Sequence, residues 1–289
     1  KGKPVRQYEP FFTNRHQFEF DVKIGVSPVL FYDPVGRVVA TLHPNHTWEK
    51  VLFDPWQQAT YDVNDTILVA DPKTDADVGN LFRRLPDGEY LPTWPAQRKD
   101  GQKGTEEQAA AKQTEVHAQT PTVAHADSLG RPFLTVAHNK FKYSNTDSAG
   151  PPVEEFHRTR VTLDIEGNQR AVRDAIQQAG HPLGRIVMRY AYDMLGNRIH
   201  QLSMEAGERW MLNDVAGKPL YAWDSRGFRR RMTYDALRRP LTLLVTENGG
   251  ERVAEATEYG EGQGEATNHR GQVYRLKDGA GIVTNEAYD

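Results

Sequence analysis

The sequence predicts a mostly β chain in which short hairpins lie side by side in a curved strip. Three observations carry that expectation. First, the tetrad Asp-x-x-Gly, followed in most copies by a polar or basic residue, recurs along the chain: Asp33 with Gly36, Asp127 with Gly130, Asp164 with Gly167, Asp193 with Gly196, Asp214 with Gly217, Asp224 with Gly227 and Asp278 with Gly281. Second, short runs of extended character flank the tetrads, such as 186–192 before Asp193 and 198–204 after Gly196. Third, only the stretch 105–118 has strong helix composition. Asp accepts hydrogen bonds from backbone amides just downstream and opens a turn. Gly three residues on supplies a positive φ at little steric cost. Each copy therefore reads as two strands joined by a tight turn. One hairpin is marginal alone, so neighbours must stack. Exposed strand edges invite aggregation, and winding the strip leaves few of them.

In the second half the Asp or Asn positions fall at 193, 214, 224, 235, 268, 278 and 289, so the unit is about one hairpin arm, sometimes doubled or carrying an insertion. Two copies are imperfect. Asn268-His269-Arg270-Gly271 is weaker, and Tyr234-Asp235-Ala236-Leu237-Arg238 has Arg where Gly is expected. The chain begins Lys1-Gly2-Lys3-Pro4 and stops at Tyr288-Asp289, the opening of another copy, which reads as a piece of a longer protein.

Residues 1–30 are punctuated by Pro4, Pro10 and Pro28, with Tyr8, Phe11, Phe12, Phe18 and Phe20 read as packing under irregular loops. Runs 29–32 and 38–42 flank the first tetrad as strands, and 48–53 is a third that ends at Asp54-Pro55-Trp56, a turn opener. Residues 57–124 interrupt the repeat as an insertion. Within it, Thr105 offers an N-cap, Glu106 and Glu107 lie in the first turn, and the middle is rich in alanine, which predicts a short surface helix near 105–118 that ends by Pro121. From 123 the repeat returns. A polar loop is expected over 140–155, a helical turn or long hairpin tip over 173–180, and an acidic, glycine-rich insertion over 245–265. No linker separates two domains, so 1–289 reads as one repeat segment.

The chain has 289 residues, net charge −3, mean hydropathy −0.70 and no cysteine. Disulfides and thiolate zinc sites are thereby excluded. The charge balance gives no reason to expect a nucleic-acid partner, and no apolar run approaches the ~20 residues a membrane span needs.

The search for chemistry is mostly negative. None of the motifs for phosphate loops, serine hydrolases, zinc proteases or dinucleotides is present. Asp71, Asp75 and Asp77 do not have the spacing of a calcium loop and read as capping and turn residues. His43 and His46 lack a third metal ligand nearby and read as a solvated turn. One Asp per repeat, beside a turn glycine, is a structural distribution rather than a catalytic one. The expectation is no enzyme, no cofactor and no metal, with the repeat Asp and Gly residues as turn formers.

The Tyr-Asp-x-x-Gly units resemble the YD repeats of RHS proteins. Residues 27–38, with 54–56, 61–66, 91–94, 120–132 and 163–168, further resemble the B component of bacterial insecticidal Tc toxin complexes, and the likeness covers nearly the whole chain. That resemblance implies a segment of an RHS-type β-shell, a cocoon built with a C component, that encloses a toxin polypeptide. It implies secretion as part of a toxin complex, and a pore-forming A component engaged through regions not in this sequence. No catalytic residue carries over. The rival from a different class is an extracellular YD-repeat adhesin or glycan-binding module, for which Trp48, Trp56 and Trp94 are the candidate aromatics. An enzyme would have to gather His125, His138 and His157 with carboxylates from separate repeats.

Overall fold

A computed structural model describes residues 2–142 and 150–289. The chain divides into two compact units, 1–160 and 161–289. Each is an antiparallel meander in which every strand pairs with its sequence neighbours, so the mostly β, side-by-side arrangement holds.

The first unit contains β1 (Val29–Tyr32), β2 (Val38–Leu42), β3 (Trp48–Phe53), β4 (Gln57–Tyr61), β5 (Thr122–Ala126), β6 (Pro132–Phe141) and the start of β7 (Val153–Leu163). They pair in that order. The stretch 57–124 thus opens and closes with strands of the meander, and residues 62–121 between them form a cap on it. The cap holds a short helix, α1 (Gly79–Phe82), and a longer one, α2 (Thr105–Thr114). Thr105 is the first helical residue rather than the cap; Gly104 takes the capping position at φ 102°. A 3-10 turn at Glu115–His117 replaces the last turn expected by residue 118.

The cap supplies the core. Phe82 is fully buried, and its ring meets Phe31 at 5.1 Å, Trp48 at 5.2 Å and Tyr90 at 5.6 Å between centroids. Val29, Ala40, Leu42 and Val78 complete the cluster. Alternation puts Val29, Phe31, Ala40 and Leu42 on one face of β1 and β2, and α1 covers that face. Asp65, itself buried, accepts from the backbone N–H of Thr120 at 2.6 Å and from its Oγ1 at 2.9 Å, which ties the two ends of the cap together. The aromatics expected to pack under the N-terminal loops do not all do so. Phe12, Phe18 and Phe20 are 104, 86 and 86% exposed, because no strand or helix is laid against them.

The second unit runs through β8 (Gln169–Arg173), β9 (Ile186–Tyr192), β10 (Arg198–Ser203), β11 (Gly207–Asn213), β12 (Pro219–Asp224), β13 (Arg229–Tyr234), β14 (Pro240–Glu247), β15 (Gly250–Tyr259), β16 (Val273–Lys277) and β17 (Ile282–Thr284). These too pair in sequence order. No hydrophobic side chain of this unit is buried among the described residues; all of the buried hydrophobics lie at or before Ala118. The second unit is a single-layer sheet with both faces partly open.

Two local expectations change, and one left open is decided. The acidic, glycine-rich stretch 245–265 is mostly strand: Asn248 and Gly249, at φ 50° and 82°, make a two-residue turn between β14 and β15. The loop expected at 140–155 is trimmed by β6 and β7, and its middle, 143–149, lies outside the described residues. Residues 174–185 form a hairpin tip with a Gln178–His181 bridge, not a helical turn.

Candidate functional site

The repeated turn is a clamp closed by one carboxylate. At Asp193 the backbone N–H bonds to the Asn197 carbonyl at 3.0 Å, and the Gly196 N–H returns to the Asp193 carbonyl at 3.1 Å. The Asp193 Oδ1 accepts from the N–H groups of Leu195 and Asn197, at 2.9 and 2.8 Å, and Oδ2 accepts from Asn197 Nδ2 at 3.0 Å. Asp33, Asp127 and Asp164 repeat this pattern, with Arg37, Arg131 and Asn168 as the side-chain donors. Asp214 bonds the N–H groups of Ala216 and Lys218 and pairs with Arg238. At Asp224 the residue four on is Phe228, which cannot donate from its ring, and Arg226 supplies the guanidinium instead at 2.7 Å. Gly36, Gly130, Gly167, Gly196, Gly217 and Gly227 hold φ between 74 and 95°, the region where a Cβ is costly.

Other positions qualify the motif. Asp235 makes the full clamp on Arg239, with Arg238 in the glycine slot at φ 64°. Arg238 is held there by its ion pair with Asp214 and by the Tyr234 ring, 5.0 Å away. Asp278 differs from expectation: its turn closes one residue early, on the Gly281 carbonyl, and Gly281 sits at φ 151°. Asn268 makes no such clamp; it ends a 3-10 turn, and its neighbour His269 is buried with Nε2 2.7 Å from the Asn285 carbonyl. Asp174 is a clamp the sequence reading missed. Its carboxylate binds the N–H groups of Ile176 and Arg185 and the Arg185 guanidinium across an eleven-residue excursion.

A meander alternates its turns between two edges. In the second unit the turns at Asp193, Asp214 and Asp235 share one edge, while those at Asp174, Asp224, Asn248 and Asp278 share the other. Tyrosines at the strand ends have a role on the first edge, two of them, Tyr192 and Tyr234, directly before a clamp. Tyr192 Oη donates to the Gln169 carbonyl at 3.1 Å, Tyr234 to Pro219 at 2.7 Å, Tyr259 to Pro240 at 3.2 Å and Tyr288 to Val273 at 2.7 Å. In each case the acceptor is the first residue of an earlier strand: β8, β12, β14 and β16. The tyrosines latch successive turns into a ladder, and basic turn residues cover two of the rings: Arg239 lies 3.9 Å from the Tyr259 ring and Arg238 5.0 Å from that of Tyr234. Replacing Tyr234 by Phe keeps the ring and removes one latch, at an expected cost of about 1 kcal/mol in chemical denaturation.

The clamps make stability sensitive to acid. Side-chain donors come first at Asp174, Asp193 and Asp224, and the Arg131 backbone N–H at Asp127, in holding these carboxyls below the ordinary value of 3.8. At Asp33, Asp164 and Asp235 partial desolvation opposes ionisation, but the turn amides and the side chains of Arg37, Asn168 and Arg239 outweigh it. Lowered folded values mean that the unfolded chain binds more protons at low pH. The stabilisation is therefore complete above the ordinary value and is lost as pH falls through the lowered ones. The urea midpoint should be flat down to about pH 5 and fall steadily below about pH 4. An unchanged midpoint at about pH 3 would contradict the clamps.

The residues proposed for binding or chemistry are not brought together. Trp48 is core, Trp94 is covered by the Arg98 guanidinium at 4.1 Å, and Trp56 is 60% exposed in its turn. His125 is on β5. His138, on β6, pairs with Glu154 at 3.1 Å and stacks on Phe156 at 4.3 Å. His157, on β7, pairs with Glu155 at 3.0 Å. The register sets His138 opposite Phe156 and His157 opposite Ala137, so the two histidines point to opposite faces. Asp71 caps a 3-10 turn, and Asp75 and Asp77 both hold Lys50 at 2.7 Å. His43 and His46 bracket the β2–β3 turn, with Asn45 Oδ1 accepting from Thr47 at 3.1 Å. A cleft of about 740 Å³ in the first unit is lined by Arg37, Val39, Phe53, Leu81 and Arg84 among others.

No family model and no curated protein matches this sequence. Solved structures do share its fold. The crystal structure of TcdB2-TccC3 matches over 91% of this chain and 11% of its own, with TM-score 0.63 and 22% identity. A Photorhabdus luminescens Tc holotoxin pore matches over 100% of this chain and 12% of its own, with TM-score 0.65 and 22% identity. TcdB2-TccC3 without its hypervariable C-terminal region matches over the same shares with TM-score 0.64. The chain spans about a tenth of the length of the solved chains it matches.

Proposed function

We propose that this chain is a wall segment of an RHS-type shell in a Tc-like toxin complex, where it helps enclose a toxin polypeptide. The observation that carries this reading is the second unit: a single-layer meander, latched turn by turn, with no buried hydrophobic side chain. Such a sheet is a poor solution for a free-standing domain, which needs a second layer over its apolar face. It suits a wall whose two sides meet different surroundings. The fold shared with TcdB2-TccC3 supports the same reading. The role is structural rather than enzymatic. Its partners are the remainder of the shell and a C-component-like protein, with a pore-forming A component contacted elsewhere. Secretion with the complex follows, and among the described residues no helix is long and apolar enough to cross a membrane.

The test is co-expression of the protein carrying this chain with a C-component-like protein whose C-terminal polypeptide bears a tag. The expected result is a tag that resists protease in the native particle and is digested once the particle is opened with denaturant. Digestion at the rate of the free polypeptide would contradict enclosure.

A further inference from the structure

The two faces of the second unit treat their cations differently. On one face Arg229 and Arg231 pair with Glu251, at 3.2 and 2.7 Å, and Arg275 and Lys277 pair with Glu258. On the other, the register aligns Met211, Ala222, Arg230, Val245 and Arg252 in one row across β11 to β15, with Arg209 opposite Asp224 in the next row. Arg209, Arg230 and Arg252 are exposed and form none of the ion pairs among the described residues. Of the carboxylates on this face, Asp224 is engaged by its turn amides and by Arg226, and Glu247 and Glu255 form no ion pair with the three arginines among the described residues. A shallow cleft of about 140 Å³ lies between Arg209 and Arg230, lined also by Met211, Ala222 and Phe228.

We propose that this face receives an extended, acidic segment of the enclosed polypeptide, carboxylates on the three arginines and apolar side chains on the Met211–Ala222–Phe228 floor. The choice of an enclosed polypeptide as occupant rests on the shell reading; the surface itself does not. Guanidiniums free of ion pairs over an apolar floor offer bidentate carboxylate recognition beside apolar contact. Strand spacing puts β13 and β15 about 10 Å apart, which is about one three-residue turn of a chain in the polyproline II conformation, so acidic side chains at every third position share one side and match the arginine spacing.

The test uses the whole chain and a labelled peptide of about twelve residues with Glu at every third position and Leu or Thr between, measured by fluorescence anisotropy at about 50 mM salt. The expected result is binding that weakens about tenfold or more when Arg209→Gln, Arg230→Gln and Arg252→Gln are combined. The control Arg229→Gln with Arg231→Gln, on the opposite face, should change affinity less than about twofold. All of these positions are on open faces, and circular dichroism is the check that each variant is folded. Absence of binding, or equal affinity in the triple variant, overturns the proposal. Equal or tighter binding of a single-stranded DNA of the same charge overturns it in favour of a general polyanion surface. Peptide binding without protease protection in the assembled particle would leave this surface standing and remove the shell reading, and the converse result would do the reverse.

Discussion

Replacing Phe82 by Ala is expected to cost about 3–5 kcal/mol and to unfold the first unit under mild conditions. The residue is fully buried, and three aromatic rings from three other segments close on it. Truncation removes the transfer term and leaves a cavity walled by Phe31, Trp48 and Tyr90, rings that cannot collapse inward without pulling on β1, β3 and the cap backbone that carry them. Because Trp48 lines that cavity, its fluorescence reports the change directly. Urea denaturation followed at Trp emission and by near-ultraviolet circular dichroism should show an early transition in the variant. A midpoint unchanged within error would mean that the cap does not form the core of this unit.

The second large effect is expected at Lys50. Its ammonium is buried on β3 and bonded to Asp75 and Asp77 of the cap, each at 2.7 Å, with the Tyr61 ring 4.9 Å away. Burial works against its charge, but the two carboxylates outweigh burial and raise its pKa. Asp75 shows the mirror case: desolvation opposes ionisation, and the Lys50 bond with the N–H groups of Val78 and Asp77 lowers its pKa. Lys50→Met leaves Asp75 buried without its cation and should cost about 3–5 kcal/mol. Adding Asp75→Asn removes the orphaned charge, so the double variant should recover part of the loss, a coupling visible only in the full cycle. Strict additivity of the two single effects would show that the pair is not coupled.

How much of this was legible in the sequence follows from how far each interaction reaches. The Asp clamp closes within five residues, so Asp33, Asp127, Asp164, Asp193 and Asp214 announce it by composition alone. The Tyr latch was not legible because its acceptor lies 15 to 23 residues upstream and is a backbone carbonyl, which any residue can offer. Asp174 was hidden by the excursion between it and Arg185, although an Asp before and an Arg after a polar loop was the available signal. Edge alternation was also missed: Asp224 and Asp278 look like the other repeats in sequence yet sit on the opposite edge of the sheet from Asp214. The core contributed by Phe82 and Tyr90 comes from a stretch with no strand or helix periodicity, so nothing local marked it. β15 was obscured by its glutamates and the glycines around it, which suit an open sheet face but read as a loop. The grouping of Arg209, Arg230 and Arg252 on one face exists only once the register of five strands is known.

The measurement that tests the central claim most directly is a cryo-electron microscopy map of the purified protein that carries this chain, assembled with its C-component-like partner. The wall reading predicts that β8 to β17 run as one layer of a closed β wall, with one face toward an interior that holds additional polypeptide density. A map in which that sheet is packed face to face on a second layer of a compact domain, with no enclosed space, would contradict it.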